Sequence, residues 1–266
     1  MPEATSMGWN LHYETMGDRG HTPVVMTLGL SHRLAHWGRL PALLAEKLFL
    51  VTWDCRGMGE SDKRDEPFTI ADEARDIAAV MDAAGLDSAV VYARSRGGML
   101  AQEFALTFPE RTRALVLVGT SHRGPGFVGW NERVTRAMNF TPGMTREQIF
   151  TEQAEALSAP GWRERDPEAF AYNLAVDLEA PPRRFAVQRQ MQAFEGWTSY
   201  GRLDAIRCPA LVVCGEDDGM TPPENSRQLA AMIPGARLEM IPQCGHNPML
   251  EKPETVRDLV FSFLAV

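Results

Sequence analysis

One stretch of the chain holds residue types that could do covalent chemistry. Residues 90–99 read VVYARSRGGM. An apolar run ends in Ser95, small residues flank it (Ala93, Gly97, Gly98), and a helix-like segment follows at once. A serine in such a strand-to-helix turn is held in a strained backbone conformation with its Oγ exposed above the sheet. The amide of Arg96, at the start of the helix, can then point at a developing oxyanion. An ordinary turn in which Ser95 merely caps the helix is the competing reading of this motif alone. A serine hydroxyl is a poor nucleophile until a base takes its proton, and histidine is the side chain whose charge changes near neutral pH without help. A buried carboxylate would fix that imidazole's tautomer. The chain supplies both partners downstream: His246 follows Gly245, and residues 215–222, GEDDGMTP, offer Asp217 and Asp218.

These segments resemble the α/β-hydrolase family, and the resemblance spans nearly the whole chain. Residues 54–62, DCRGMGESD, look like the family's loop after its fourth strand. Residues 215–222 look like its acid loop. Gly245-His246, followed by Glu251, Pro253 and Glu254, looks like its histidine loop. The order nucleophile, acid, histidine is the family's own. The resemblance implies Ser95 as nucleophile, His246 as base and Asp218 as acid. The family's spacing from glycine to acid to proline selects Asp218 and leaves Asp217 as a structural or solvent-facing neighbour. It also implies an oxyanion hole made by the backbone N–H groups of Leu30 and Arg96. Many members carry His-Gly before the first donor, whereas this chain has Leu28-Gly29-Leu30-Ser31. That Leu-Gly pair, with residues 99–104 (MLAQEF) and 109–111 (PER), resembles the 3-oxoadipate enol-lactonase branch and related small esterases.

Two features depart from the pattern. Ala93 stands where glycine is usual. Arg94 and Arg96 flank the serine. Arg94 has two readings: it binds a substrate carboxylate as a bidentate partner, or it pairs with a carboxylate of the protein. The Arg96 side chain is expected to point away along the helix, with only its backbone used. His32, His36 and His122 are read as hydrogen-bonded loop residues at the pocket edge. The aromatics Trp130, Phe140, Phe170, Phe194 and Trp197 are read as packing, with one or two free to line the pocket. His32, His122, Trp130 and Trp197 stand with Arg94 as substrate-contact candidates.

The elements that must position these residues follow from the apolar pattern. Residues 23–28, 48–53, 88–92, 114–118 and 210–214 are short, nearly continuous apolar runs, as in strands buried on both faces of a parallel sheet. Residues 9–16 alternate more and suit an antiparallel lead-in strand. Residues 70–84 carry an apolar stripe at helical spacing. Residues 98–108, 222–233 and 253–264 are the other predicted helices, two of them opening on proline. The strand–helix rhythm implies an α/β fold with a mostly parallel central sheet and flanking helices. It stops between His122 and Arg202, where the chain is helical in character and interrupted by Pro142, Pro160, Pro167, Pro181 and Pro182. The expected organisation is a core of residues 1–121 and 203–266 with a helical cap (lid) insertion, 122–202, over the ligand-binding edge of the sheet.

Composition narrows the function classes. The chain has 266 residues and a net charge of −8, which argues against a nucleic-acid or anionic-membrane surface. No apolar run is long enough to span a membrane, and residues 1–10 lack the features of a signal peptide. Four cysteines without CxxC spacing read as reduced thiols of a cytoplasmic protein. No Cys/His set has zinc spacing. The expectation is a cytoplasmic serine hydrolase of a small ester or lactone, working through an acyl-enzyme with no cofactor and no metal. Its partner is a small-molecule substrate, carboxylate-bearing under the first reading of Arg94. A homodimer stays open. The rivals are a carbon–carbon bond hydrolase of a ring-cleavage product, a cofactor-free lyase, cyclase or perhydrolase on the same scaffold, and a non-catalytic ligand receptor.

Overall fold

The computed structural model describes residues 2–139 and 141–266. Each predicted apolar run falls on a strand, with only Leu28 and Ser88 just outside the strand bounds. The chain opens with a hairpin of β1 (Glu3–Ser6) and β2 (Trp9–Met16), then enters β3 (Thr22–Thr27). A short α1 (Leu40–Leu44) leads to β4 (Leu48–Trp53), and α2 (Ile70–Ala83) leads to β5 (Ala89–Arg94). Next come α3 (Arg96–Thr107) and β6 (Thr112–Val118). Five helices then intervene: α4 (Glu132–Met138), α5 (Arg146–Leu157), α6 (Trp162–Arg165), α7 (Pro167–Glu179) and α8 (Arg184–Phe194). The rhythm resumes with β7 (Ala210–Gly215), α9 (Pro223–Met232) and β8 (Arg237–Ile241), and ends with α10 (Pro248–Glu251) and α11 (Pro253–Leu264).

The strands form one eight-stranded sheet in the order β1-β2-β4-β3-β5-β6-β7-β8. Pairs β1/β2 and β2/β4 are antiparallel, and all later neighbours are parallel. From β3 the chain steps one way to β4, then returns to the other side of β3 for β5. The order therefore reverses between β3 and β5, and open α/β sheets bind ligands beyond the carboxyl ends of the strands at such a point.

Side chains of successive strand residues enter opposite layers of core. Val25, Val51, Val91, Leu115 and Val212 face the layer closed by α2, α3 and α9. Val24, Leu50, Val90, Val116 and Leu211 face the layer closed by α1 and α11. Both faces are apolar, which is why these strands read as continuous runs. Strands β1 and β8 lie at the sheet edges. Only the last residue of β8 is fully buried, so its sequence shows no such run.

The insertion is tied at its base and along its length. The His122 carbonyl accepts from the Ser199 amide (3.1 Å) and the Thr198 hydroxyl (2.8 Å), joining its two ends. Arg33 pairs with Glu179 of α7, and Arg202 pairs with Glu103 of α3. Among the described residues no helix is long and apolar enough to cross a membrane. All four cysteines are free thiols.

Candidate active site

Ser95 joins β5 to α3 in a conformation that L-residues avoid, with φ 54° and ψ −124°. Such strain costs about 1–3 kcal/mol and persists only where packing over-determines it. Close approach on the helix side supplies that packing. A Cβ on Gly97 would lie 2.5 Å from the Leu28 carbonyl oxygen, and one on Gly98 would lie 2.5 Å from the Thr120 side chain. The helix can start this close to the end of β3 and to Thr120 after β6 only because both residues are glycine. The Ser95 amide donates to the Val118 carbonyl of β6 at 2.8 Å, which anchors the turn from the other side.

Three side chains from separate loops then meet in a row. His246 Nε2 lies 3.0 Å from Ser95 Oγ, and His246 Nδ1 lies 2.8 Å from Asp218 Oδ2. The second oxygen of Asp218 accepts the amides of Met220 (2.9 Å) and Thr221 (2.8 Å), so its own loop holds the carboxylate. A carboxylate can only accept, so Nδ1 carries the proton and Nε2 is free to take one from the hydroxyl. His246 and Asp218 are buried, and Ser95 is half-buried. Burial, with the nearby Arg94 charge, holds the His246 pKa below its usual value, and Asp218 works in the opposite direction. Asp217 is exposed and uses only its amide, which donates to the Cys244 carbonyl.

The loop after β3 lies against the serine. A Cβ on Gly29 would approach Ser95 Cβ to 3.0 Å, so the missing side chain lets the backbone reach the nucleophile. Among the described residues neither the Leu30 amide nor the Arg96 amide donates to another protein group. Two donors without protein partners thus lie on the residue after Gly29 and the residue after Ser95.

Arg94 is 2% exposed and, among the described residues, forms no ion pair with a carboxylate of the protein. Its Nε donates to the His246 carbonyl (3.2 Å), its Nη1 to His32 Nδ1 (2.8 Å), and its Nη2 to the Asn247 side-chain oxygen. Burial pushes its pKa down to about 10. The Arg96 side chain does not run free along the helix either. It pairs with buried Glu73 of α2 and donates to the Gln190 carbonyl of α8 (3.2 Å).

The other candidates scatter. His32 is in the site: it accepts from Arg94, stacks on His36 at 4.2 Å, and has its pKa lowered by burial first and then by its neighbours His36 and Arg94. His36 in turn bonds Asp177 of α7 at 3.0 Å. His122 is buried with both ring nitrogens engaged, by Gln228 and the Gly124 amide, which leaves neither for a substrate. Trp130 is 49% exposed on the surface. Trp197 donates to Glu103 of α3 and packs on the sheet core. Phe170 packs on Trp162, and Phe194 lies under Arg123. Phe140 lies outside the described residues. Among the described residues no three His, Cys, Asp or Glu side chains gather as a metal set.

Several residues that shape the site escaped sequence reasoning. Glu251, quoted only as part of a motif, accepts the amides of Gly245 (3.0 Å), Asn247 (3.3 Å) and Ala159 (2.8 Å), and so folds the histidine loop and ties it to the insertion. The His246 amide itself donates to the Leu157 carbonyl of α5 at 2.7 Å. Gly119, at φ 54°, lets β6 pass beneath the acid and histidine: a Cβ there would sit 3.1 Å from Asp218. Gln190 had one signal, a polar side chain on the stripe that α8 otherwise fills with alanine.

Comparison with known proteins identifies the fold family. The family model described as alpha/beta hydrolase fold matches residues 22–253. An Azorhizobium caulinodans protein named "Putative carbamate hydrolase RutD" is 28% identical, over 99% of this chain and 98% of its own. The solved enol-lactonase from Burkholderia xenovorans LB400 superposes with a TM-score of 0.83 at 25% identity, covering 100% of both chains. A thermophilic esterase from Thermogutta terrifontis gives 0.81 at 26% identity, covering 99% of this chain and 97% of its own.

Proposed function

The chain belongs to the alpha/beta hydrolase fold family, and from that premise we propose that it is a serine hydrolase of a small ester or lactone. The observation that carries this reading is His246 bridging Ser95 Oγ and Asp218. His246 takes the hydroxyl proton as Ser95 attacks the carbonyl carbon. The carbonyl oxygen becomes an oxyanion between the Leu30 and Arg96 amides, where losing one donor typically costs about 10²–10³-fold in rate. Collapse expels the alcohol, which takes the proton back from His246 and leaves an acyl-Ser95. Water, deprotonated by His246, then releases the acid and regenerates the serine. Asp218 stabilises the imidazolium in both halves. A further effect of burial is that His246 stays neutral, and thus competent as a base, below its usual pKa.

The relatives bear names for a carbamate hydrolase, an enol-lactonase and an esterase, and each of these reactions begins with attack on an acyl carbon. The test is fluorophosphonate labelling of wild type and Ser95→Ala. Covalent labelling of the wild type alone is expected. A folded wild type that stays unmodified would overturn the reading. Turnover of p-nitrophenyl esters, an enol lactone and an aryl carbamate in parallel then ranks the acyl classes. Cleavage of a vinylogous diketo acid with no ester turnover would favour the carbon–carbon bond hydrolase instead.

A further inference from the structure

Gln190 lies on the buried stripe of α8 with Ala186 and Ala193, and it is fully buried. A buried amide must find partners for its polar atoms, and those of Gln190 lie on two loops of the core. Its Oε1 accepts from the Ser31 amide at 2.9 Å. Its Nε2 donates to the Arg56 carbonyl at 3.3 Å. Its backbone carbonyl accepts from Arg96 Nε at 3.2 Å.

Two of these contacts reach the residues beside Ser95. Ser31 has a positive φ of 62°, a conformation that needs outside support in a residue with a Cβ. Its hydroxyl donates to the Leu30 carbonyl at 2.6 Å. The Leu30–Ser31 peptide is therefore pinned at its oxygen by Ser31 and at its nitrogen by Gln190. The preceding peptide carries the Leu30 N–H. Arg96, whose side chain donates to the backbone carbonyl of the same residue, carries the second N–H. A single insertion residue thus binds both halves of the candidate oxyanion hole, which come from different core strands.

We propose that Gln190 is a positioning residue: its hydrogen bonds to Ser31 and Arg96 set the spacing of the Leu30 and Arg96 amides, so that the oxyanion hole is complete only while α8 is docked on the core. This rests on the reading of those two amides as the oxyanion donors. A displacement of about 1 Å at such a site can cost about 10²-fold in rate.

The experiment compares wild type, Gln190→Met and Glu179→Ala. Methionine keeps the volume and removes the side-chain bonds to Ser31 and Arg56, while the backbone carbonyl at 190 still accepts from Arg96, so the variant isolates the Ser31 contact. Glu179→Ala removes an insertion–core ion pair, Arg33–Glu179, in which Gln190 takes no part. Hydrolysis of p-nitrophenyl acetate gives kcat and KM. Phenylboronic acid, whose tetrahedral serine adduct places an oxygen in the hole, reports the hole directly. The expected result for Gln190→Met is a kcat lower by about 10- to 100-fold, with KM within about twofold. Its boronate affinity should weaken by a similar factor, while Glu179→Ala matches wild type. An unchanged kcat, a change in KM alone, or an equal loss in Glu179→Ala would overturn the proposal. If Gln190→Met does not fold, hydrogen exchange on the wild type decides. Residues 29–36 and α8 should then open together, and independent exchange would overturn it. A wild type inert to both ester and boronate would refute the hydrolase reading and this proposal with it, whereas an active wild type with an unaffected Gln190→Met refutes only this proposal.

Discussion

Arg94 aims its guanidinium at His32, with Nη1 2.8 Å from the ring Nδ1, and not at a carboxylate. Because arginine only donates, the His32 Nδ1 is an acceptor and its neutral ring carries the proton on Nε2. The stack of His32 on His36, and the bond from His36 to Asp177, extend this contact from the nucleophile turn to α7. The arginine beside the serine is thus part of the wall that holds the histidine loop. It also accounts for a positive charge next to a nucleophile in a chain whose net charge is negative.

Arg94→Met should therefore impair all substrates alike. The His246 carbonyl and the Asn247 side chain lose a buried donor, at about 1–3 kcal/mol for each unsatisfied group. Steady-state kinetics on a matched neutral and anionic ester should show equal losses in kcat/KM, together with a lower Tm. A KM increase confined to the anionic ester would restore Arg94 as a substrate-binding residue.

The acid limb of activity should report His246. Its neutral form is the working base, and burial holds its pKa below 6.5. The half-point of the kcat/KM profile should lie below pH 6.5, with a tenfold fall per pH unit beneath the lowered value. Asp218 raises that pKa, so Asp218→Asn should move the limb to still lower pH while cutting the plateau by about 10⁴-fold. An acid limb centred above 6.5 in the wild type would contradict the buried environment. Stability follows the same sign. His32 and His246 stay neutral in the folded chain while the unfolded chain takes up protons near pH 6.5. Stability should decline as the pH falls from 6.5 to the lowered values and level off below them.

Glu251→Ala should couple a stability loss to a catalytic one. Three loop amides lose a buried charged acceptor, and such bonds contribute about 1.5–3 kcal/mol each. With partial relaxation, a net loss of about 3 kcal/mol corresponds to a Tm lower by roughly 6–12 °C. The kcat should fall as His246 loses its orientation. A calorimetric Tm unchanged to about 1 °C would mean that the loop holds its shape without the carboxylate.

The core and the row of three side chains were legible in the sequence for a shared reason. Strands buried on both faces must be apolar throughout, so β3 to β7 announce themselves. A serine at positive φ beside a helix start needs Gly97 and Gly98, because backbone and Thr120 occupy the space their side chains would take. The acid and the histidine sit in short loops directly after β7 and β8, where few residues separate strand from function. Edge strands were less visible, since β8 pairs on one side only and keeps partly exposed side chains.

What the sequence by itself determined is therefore local: residue type, spacing, and the order of serine, acid and histidine along one alternating chain. Only the tertiary structure decided what each long polar side chain does. Arg94, Arg96, His122 and Trp197 could reach several partners, and their direction depends on which segments fold above and beside them. Arg94 finds the histidine loop more than 150 residues away in sequence, and Gln190 finds Ser31 across 159. No periodicity encodes such contacts. They arise because buried donors and acceptors must be paired once the helices between β6 and β7 pack on the core, and that packing is a property of the folded chain.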